Sequence, residues 1–282
     1  MTIEKTPVTT EDRTVTGRHG DFRVRDYRPA VTTTNTPMVW VHGGGFGSGD
    51  LDMPESHAVA TAIASTGRPV TTVDYRLVPA FALIGRFRLK PSTNRYPVPL
   101  DDVTDAVLDT VGRHPGRAVI LGGASAGACL AASATMRVRQ DMTAAPTGLL
   151  LVYGLFHAQL PALSANLRPR LRGIARLGAA PEIFRRMTMN YVGTDELFAD
   201  PAVFPGTADV RGFPPTLLLD ADRDALRASS EAFADHLRAV NVPLSTSVIP
   251  ETRHGFLNKP GSRGYPEAIA TMTDWLSHRD RN

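Results

Sequence analysis

The chain has 282 residues, of which 42% are hydrophobic and 21% are charged, as in an ordinary soluble globular protein. Its net charge of +3 is too small to indicate nucleic-acid binding, and its one cysteine, Cys129, excludes an intrachain disulfide. The chain contains no long apolar run and no signal-peptide pattern, so we expect a cytoplasmic protein without integral membrane contact.

Strand-like and helix-like segments alternate after a threonine-rich start, which we expect to be frayed. The predicted strands are Phe22–Arg28, Met38–His42, Val70–Asp74, Ala118–Leu121, Thr147–Tyr153, Thr216–Leu219 and Ser245–Ile249. The predicted helices are Pro54–Thr66, one that starts at Asp101 or Asp102, Ala126–Gln140, Ala225–Ala239 and Pro266–Ser277. This alternation predicts an α/β fold with a mostly parallel sheet flanked by helices on both faces.

Residues from about 157 to 205 interrupt the alternation. The segment is helical in character but is broken by prolines and glycines. We therefore expect a single domain over residues 1–282, into which this segment is inserted as a small helical cap.

A Gly-x-Ser-x-Gly sequence, Gly123–Gly127, follows one predicted strand and opens a predicted helix. A nucleophile elbow requires this strand–turn–helix context, and its small residues leave room for a serine on a sharp, strained turn. The alternative is a glycine-rich helix start that packs closely on the sheet. The motif makes Ser125 the candidate nucleophile.

A second glycine motif, His42–Phe46, follows the strand at Met38. Backbone N–H groups that converge on one point can stabilise an oxyanion, and glycines allow the backbone to approach it closely. A phosphate-binding loop is the alternative, but the Gly-Lys-Ser/Thr that such a loop needs is missing. We expect the N–H groups of Gly44, Gly45 and Ala126 to form an oxyanion hole.

A serine hydroxyl needs an adjacent base, which a third group orients. When the three come in the order serine, acid, histidine, His254 is the best-placed base, because it lies between the last predicted strand and the last predicted helix. His236 lies inside a helical pattern and His278 near the end of the chain, which makes both poorer candidates.

Three aspartates follow the strand Thr216–Leu219 and could orient the base: Asp220, Asp222 and Asp224. Asp224 leads into the next helix and is preferred, although an aspartate there can also serve only as a helix cap. Asp222 is the reserve candidate.

The combined pattern resembles the hormone-sensitive-lipase family of α/β-hydrolase esterases. The resemblance covers the chain from about Phe22 onward and rests on His42–Phe46, Asp74–Leu77, Tyr96-Pro97, Leu100–Asp102, Gly123–Gly127, Asp224–Arg227 and His254–Phe256. It implies an α/β-hydrolase fold and makes Ser125, Asp224 and His254 the catalytic triad, with Gly44, Gly45 and Ala126 as the oxyanion hole. It also implies hydrolysis of short-to-medium acyl esters without a cofactor.

The chain departs from the family pattern in three places. Val78-Pro79-Ala80 stands where the family usually has Ala-Pro-Glu, so a carboxylate is lost there. The connection Phe81–Arg95 is longer than in the family and is a candidate lid loop. The N-terminal region is short, so the cap is expected to lack one helix. These differences bear on the shape of the acyl pocket.

The predicted reaction is therefore carboxylic-ester hydrolysis through an acyl-enzyme on Ser125, with a small-molecule ester as substrate. An amidase, a lactonase or an acyltransferase could use the same residues. A receptor that has abandoned catalysis is a further alternative, although all three triad candidates are present. No metal is expected, because the sequence has no clustered Cys/His pattern.

Basic residues concentrate in two segments. Phe81–Arg95 contains four basic residues and no acid, and His157–Thr194 contains six arginines and one glutamate. The two segments form either a positive rim at the active-site mouth or two solvated surfaces.

Overall fold

The computed structural model describes residues 5–79, 94–141, 144–173 and 181–280, which contain one sheet of eight strands. The strand order across the sheet is β1-β2-β4-β3-β5-β6-β7-β8. The strands are β1 (Val8–Gly17), β2 (Gly20–Pro29), β3 (Met38–Val41), β4 (Val70–Asp74), β5 (Ile120–Ala124), β6 (Gly148–Val152), β7 (Thr216–Ala221) and β8 (Leu244–Ile249).

Helices cover both faces of this sheet. They are α1 (Pro54–Ala64), α2 (Val98–Arg113), α3 (Ala126–Val138), α4 (Pro181–Val192), α5 (Asp195–Ala199), α6 (Arg227–Ala239) and α7 (Gly264–Arg279). Alternate residues of β3 enter two separate cores: Val39 and Val41 pack with residues of α2, α3 and α6, whereas Met38 and Trp40 pack with residues of α1 and α7. Strands buried on both faces are typical of a parallel α/β sheet, which confirms the predicted fold class.

The strand order places the functional loops together. Strands β3 to β8 pair in parallel, and β3 lies between β4 and β5. The chain therefore runs from β3 to one neighbour and then crosses to the other, which creates a switch point where ligands commonly bind at the carboxyl ends of the strands. Val41 at the end of β3 pairs with Gly123 in β5, so the two glycine motifs emerge side by side.

The expectation of a frayed N-terminal region is wrong from residue 8 onward. Strand β1 pairs antiparallel with β2 along its whole length, from Val8 opposite Pro29 to Gly17 opposite Gly20. Threonine and valine favour extended structure, and ion pairs add to the hairpin: Arg13 lies 2.9 Å from Asp26. Arg13 also lies 2.5 Å from Asp109, which fixes the hairpin to α2.

Helix α2 begins at Val98, earlier than the predicted start at Asp101 or Asp102. Pro99 lies in its first turn, where a proline is tolerated because the N–H that it lacks has no partner within the helix. Both aspartates instead take part in ion pairs from inside the helix, Asp102 with Arg76 at 2.5 Å and Asp101 with Arg137.

Within the described ranges, no helix has the length and apolar character needed to cross a bilayer.

Candidate active site

Ser125 occupies a strained turn between β5 and α3. Its φ of 55° and ψ of −119° lie where only glycine is comfortable, and such strain is typically found at functional sites. The glycines on either side leave the space for this turn: a Cβ on Gly127 would lie 2.2 Å from the carbonyl oxygen of Val41, and one on Gly123 would lie 2.5 Å from the backbone of Gly127. Positions 123 and 127 of this elbow therefore require glycine, because a side chain at either position would collide with the backbone.

Ser125, His254 and Asp224 form a continuous hydrogen-bonded chain. The Ser125 Oγ lies 2.9 Å from His254 Nε2, and His254 Nδ1 lies 2.6 Å from Asp224 Oδ2. The other carboxylate oxygen, Asp224 Oδ1, accepts the N–H of Leu226 at 3.0 Å, which fixes the carboxylate in place. All three residues follow strands, β5, β7 and β8, whose carboxyl ends share one edge of the sheet.

The environment of the histidine favours its protonated form. Burial lowers the pKa of His254, but the charge of Asp224 and its hydrogen bond outweigh this effect, so the pKa lies above the usual histidine value. Asp224 is only 4% exposed, whereas the imidazole is 38% exposed. The arrangement suits a base that takes a proton from Ser125 and is then stabilised as the cation.

The other two aspartates on the same segment have different partners. Asp222 accepts Arg170 Nη1 at 2.6 Å and the N–H of Glu251 at 3.3 Å. Asp220 is buried, and burial raises its pKa to about 7, against a hydrogen bond from Ser230. Of these three aspartates, Asp224 is the one that bonds to His254.

The glycine loop lies against the nucleophile. A Cβ on Gly43 would lie 2.9 Å from the Cβ of Ser125, so the backbone approaches the serine as closely as glycine allows. Gly44 and Gly45 have φ values of 108° and 59°. The carbonyl of Gly44 accepts the N–H of Ser48 at 3.0 Å, which closes the turn.

The three predicted oxyanion donors belong to the glycine loop and to the first turn of α3. The N–H groups of Gly44, Gly45 and Ala126 have no acceptor within the part of the chain that the structure describes. Gly44 and Gly45 follow β3, and Ala126 opens α3 directly after the serine. The N–H groups of these residues are compatible with the predicted oxyanion hole.

Helix α4 packs over this loop. The rings of Tyr191, in α4, and Phe46 are stacked at 3.9 Å, and Met187 lies beside Gly45. Asn190 donates to the carbonyl of Pro79 at 2.8 Å, next to the family departure at residues 78–80. The part of the chain between β6 and β7 thus contacts the predicted oxyanion region.

Much of the predicted basic rim and of the lid loop lies outside the described residues, which omit 80–93 and 174–180. Several of the arginines that are described have partners. Arg170 pairs with Asp222, Arg185 with Asp195 at 3.2 Å, and Arg186 with Glu182 at 3.3 Å.

Three residues around the site were not predicted: Glu55, Tyr153 and Asn258. Glu55 is 1% exposed and bonds to Gly43, Tyr153 and Asn258. No pattern in the sequence indicated Glu55, because a glutamate in the first turn of a helix is common on any surface helix. Cys129 is buried, and burial raises its pKa to about 12, as is typical of a cysteine that packs in the core.

No group of three or more His, Cys, Asp or Glu side chains able to hold a metal ion occurs in residues 5–79, 94–141, 144–173 and 181–280.

Comparison with known proteins identifies the class. A family model described as alpha/beta hydrolase fold matches residues 38–258. The chain therefore belongs to the α/β-hydrolase fold family, and the predicted relationship to hormone-sensitive-lipase-type esterases is confirmed.

Similar proteins of this class are known from bacteria and archaea. The carboxylesterase NlhH of Mycobacterium tuberculosis is 29% identical over 266 residues, covering 88% of this chain and 75% of its own. The ethyl acetate hydrolase of Pseudomonas putida is 26% identical over 264 residues, covering 87% and 75%. A solved esterase from the archaeon Pyrobaculum calidifontis superposes with a TM-score of 0.78 at 25% identity, covering 95% and 85%.

Proposed function

We propose that this protein hydrolyses carboxylic esters with Ser125 as nucleophile, His254 as general base and acid, and Asp224 as the group that orients the histidine. The observation that carries the proposal is the hydrogen-bonded chain from Ser125 through His254 to Asp224. Ester hydrolysis as the class of reaction is confirmed by the esterases that the chain resembles, so the protein is an ester-hydrolysing enzyme of the carboxylesterase class.

The geometry supports a two-step acyl transfer. His254 Nε2 removes the proton of Ser125 as its oxygen attacks the ester carbonyl, and the carbonyl oxygen becomes negatively charged. The N–H groups of Gly44, Gly45 and Ala126 would stabilise that charge. His254 then gives its proton to the leaving alcohol, which departs and leaves the acyl group on Ser125.

Water completes the cycle in the second step. His254 takes a proton from a water molecule, which attacks the acyl-enzyme and regenerates Ser125 with release of a carboxylic acid. Asp224 holds the imidazole in the tautomer that keeps Nε2 free to accept a proton, and its charge stabilises the cation.

We infer that the substrate is a small ester with a short-to-medium acyl chain.

We infer that residues 1–282 act as one catalytic domain, in which residues of about 157–205 form a cap. Support comes from α4, which lies in this segment and packs on Phe46 and Gly45 of the glycine loop. A cap at this position would border the acyl group of a bound ester.

A panel of p-nitrophenyl esters, anilides and lactones tests the proposal. We expect turnover of acetate and butyrate esters by the wild type, and a loss of about 10⁶-fold in kcat for Ser125→Ala. Preference for anilides or lactones over esters would contradict the proposed substrate class, and activity in Ser125→Ala would contradict the proposed nucleophile.

A further inference from the structure

A buried carboxylate that the triad does not use lies behind the glycine loop. Glu55 is 1% exposed and lies in the first turn of α1. Its Oε1 accepts the N–H of Gly43 at 2.6 Å, and its Oε2 accepts the Tyr153 hydroxyl and the Asn258 Nδ2, the latter at 3.2 Å. All three donors are neutral, so the bonds satisfy the carboxylate without neutralising its charge.

These bonds join three segments that carry parts of the site. Gly43 belongs to the loop after β3, Tyr153 follows β6, and Asn258 lies four residues after His254. The contact with Asn258 is reciprocal, because its Oδ1 also accepts the backbone N–H of Glu55 at 3.2 Å. One side chain therefore links the glycine loop to the loop that carries the base.

The position of Glu55 relative to Ser125 is close and fixed. A Cβ on Gly43 would lie 2.5 Å from Glu55 Oε1 and 2.9 Å from the Cβ of Ser125, so the carboxylate and the nucleophile both adjoin Gly43. The backbone of Glu55 is held as well, since the indole N–H of Trp40 donates to its carbonyl at 2.8 Å. The carboxylate cannot move away without breaking these contacts.

Glu55 also acts on the base. The ring of Tyr153, which donates to Glu55, lies edge-on to the imidazole of His254 with centroids 5.0 Å apart. The charge of Glu55 adds to that of Asp224 in raising the pKa of His254. The effect is transmitted through a buried region, where charges interact more strongly than in water.

The other titratable groups around Glu55 and His254 are few. Burial lowers the pKa of His42 and raises the pKa of Tyr75 and of Tyr153, so these three stay neutral near pH 7. Asp220 acts on His254 in the same direction as Glu55.

We propose that Glu55 is a positioning residue, which holds the glycine loop against Ser125 and whose buried negative charge favours the cation formed on His254 during acyl transfer. The proposal rests on the proposed function of Ser125 and His254. Glu55 touches neither the substrate nor the reacting atoms; it acts through Gly43, Tyr153 and Asn258.

The variant Glu55→Gln keeps the shape of the side chain but removes its charge, and it turns one acceptor oxygen into a donor. We expect kcat to fall about 10- to 100-fold, because a misplaced oxyanion loop stabilises the transition state poorly. KM should change by less than about 3-fold, since ground-state binding is not involved. The acid limb of kcat/KM against pH should move to lower pH.

Asp26→Asn is the matched control for the loss of a buried acid. Asp26 is 5% exposed and pairs with Arg13 and Arg113, in the hairpin and in α2. We expect this variant to lose stability while kcat per active site and the acid limb stay at wild-type values. Titration of active serines with a fluorophosphonate normalises every rate to folded enzyme.

Two results overturn the proposal. The first is a Glu55→Gln variant whose kcat and acid limb are those of the wild type. The second is an Asp26→Asn variant in which kcat falls and the acid limb shifts as much as in Glu55→Gln. If Glu55→Gln does not fold, Tyr153→Phe decides. This variant removes one of the three hydrogen bonds to Glu55 and keeps the charge of the carboxylate. We expect kcat to fall about 3-fold or more, with no shift of the acid limb to lower pH. An unchanged kcat overturns the proposal. Activity in Ser125→Ala would instead refute the proposed function, so the two failures are distinguishable.

Discussion

Arg170 Nη1 lies 2.6 Å from Asp222 Oδ1, two residues before the carboxylate that bonds to His254. The contact connects the chain between β6 and β7 to the segment that carries Asp224, and apolar packing of Leu167 and Leu171 on Ala225 reinforces it. The neighbouring aspartates thus have separate partners: Asp222 bonds to Arg170, and Asp224 bonds to His254.

The first prediction separates these two aspartates. Asp224→Asn should lower kcat by about 10³- to 10⁴-fold, because the amide can hold the imidazole in the wrong tautomer. Asp222→Asn should leave kcat within about 5-fold of the wild type and lower stability, since it breaks a partly buried ion pair. Steady-state kinetics with p-nitrophenyl acetate and thermal unfolding measure both. A severe loss of kcat in Asp222→Asn alone would reverse the assignment.

The second prediction concerns pH. Catalysis requires neutral His254, and its pKa is raised, so kcat/KM should fall on the acid side with a midpoint above about 6.5, the usual histidine value. The measurement is a pH profile from 5 to 9 at constant ionic strength, with stability checked at each pH. A rate that stays flat down to pH 5 would argue against histidine as the base.

The third prediction uses Asp220, whose buried carboxyl has one oxygen, Oδ1, without a hydrogen-bond partner within the described residues. Burial raises the pKa of Asp220 from the ordinary aspartate value of 3.8 to about 7. Between pH 3.8 and pH 7, the folded state keeps a proton on Asp220 that the unfolded chain has already released. The free energy of unfolding therefore decreases over this range, and the stabilising contribution is lost as pH rises through 7.

Asp220→Asn cannot ionise and should be more stable than the wild type at pH 8, by on the order of 2 kcal/mol, with a smaller difference at pH 5. Urea unfolding at the two pH values measures it. Asp209→Asn, at an exposed site, is the control for a general effect of charge. An equal difference at both pH values would contradict a buried acid with a raised pKa.

The fourth prediction compares two glycines. A Cβ on Gly127 would lie 2.2 Å from the carbonyl oxygen of Val41, whereas one on Gly112, in α2, would meet nothing within 4 Å. Gly127→Ala should destabilise the fold by about 1–3 kcal/mol and lower activity, because the elbow must shift. Gly112→Ala should stabilise it by about 0.5 kcal/mol, since alanine favours a helix. Equal effects of the two changes on urea unfolding would contradict this description of the elbow.

The alternation of strands and helices was sufficient to predict the sheet, and the order of the motifs was sufficient to predict which residues meet. Ser125, Asp224 and His254 each follow a strand of the parallel part of the sheet, and parallel strands end at one edge of the sheet. Local sequence patterns were therefore enough to predict contacts between residues far apart in the chain: Ser125 and His254 are separated by 129 positions, and His254 and Asp224 by 30.

Contacts that depend on long-range packing could not be predicted. The threonine-rich start of the chain was expected to be frayed from its composition. Strand β1 is instead held by pairing with β2, and Arg18, directly after β1, bonds to Asp105, 87 residues away. Glu55 resembled an ordinary acid at a helix start, and only its bond to Gly43 reveals its place in the site.

Intact-mass spectrometry after reaction with a fluorophosphonate tests the central claim most directly. The wild type should gain one phosphonyl group, peptide mapping should locate it on Ser125, and esterase activity should disappear in proportion to labelling. His254→Ala should label far more slowly, because the base at 2.9 Å from Ser125 Oγ is lost. Stoichiometric labelling of any other residue, or full activity in the protein labelled at Ser125, would contradict the assignment of Ser125 as nucleophile.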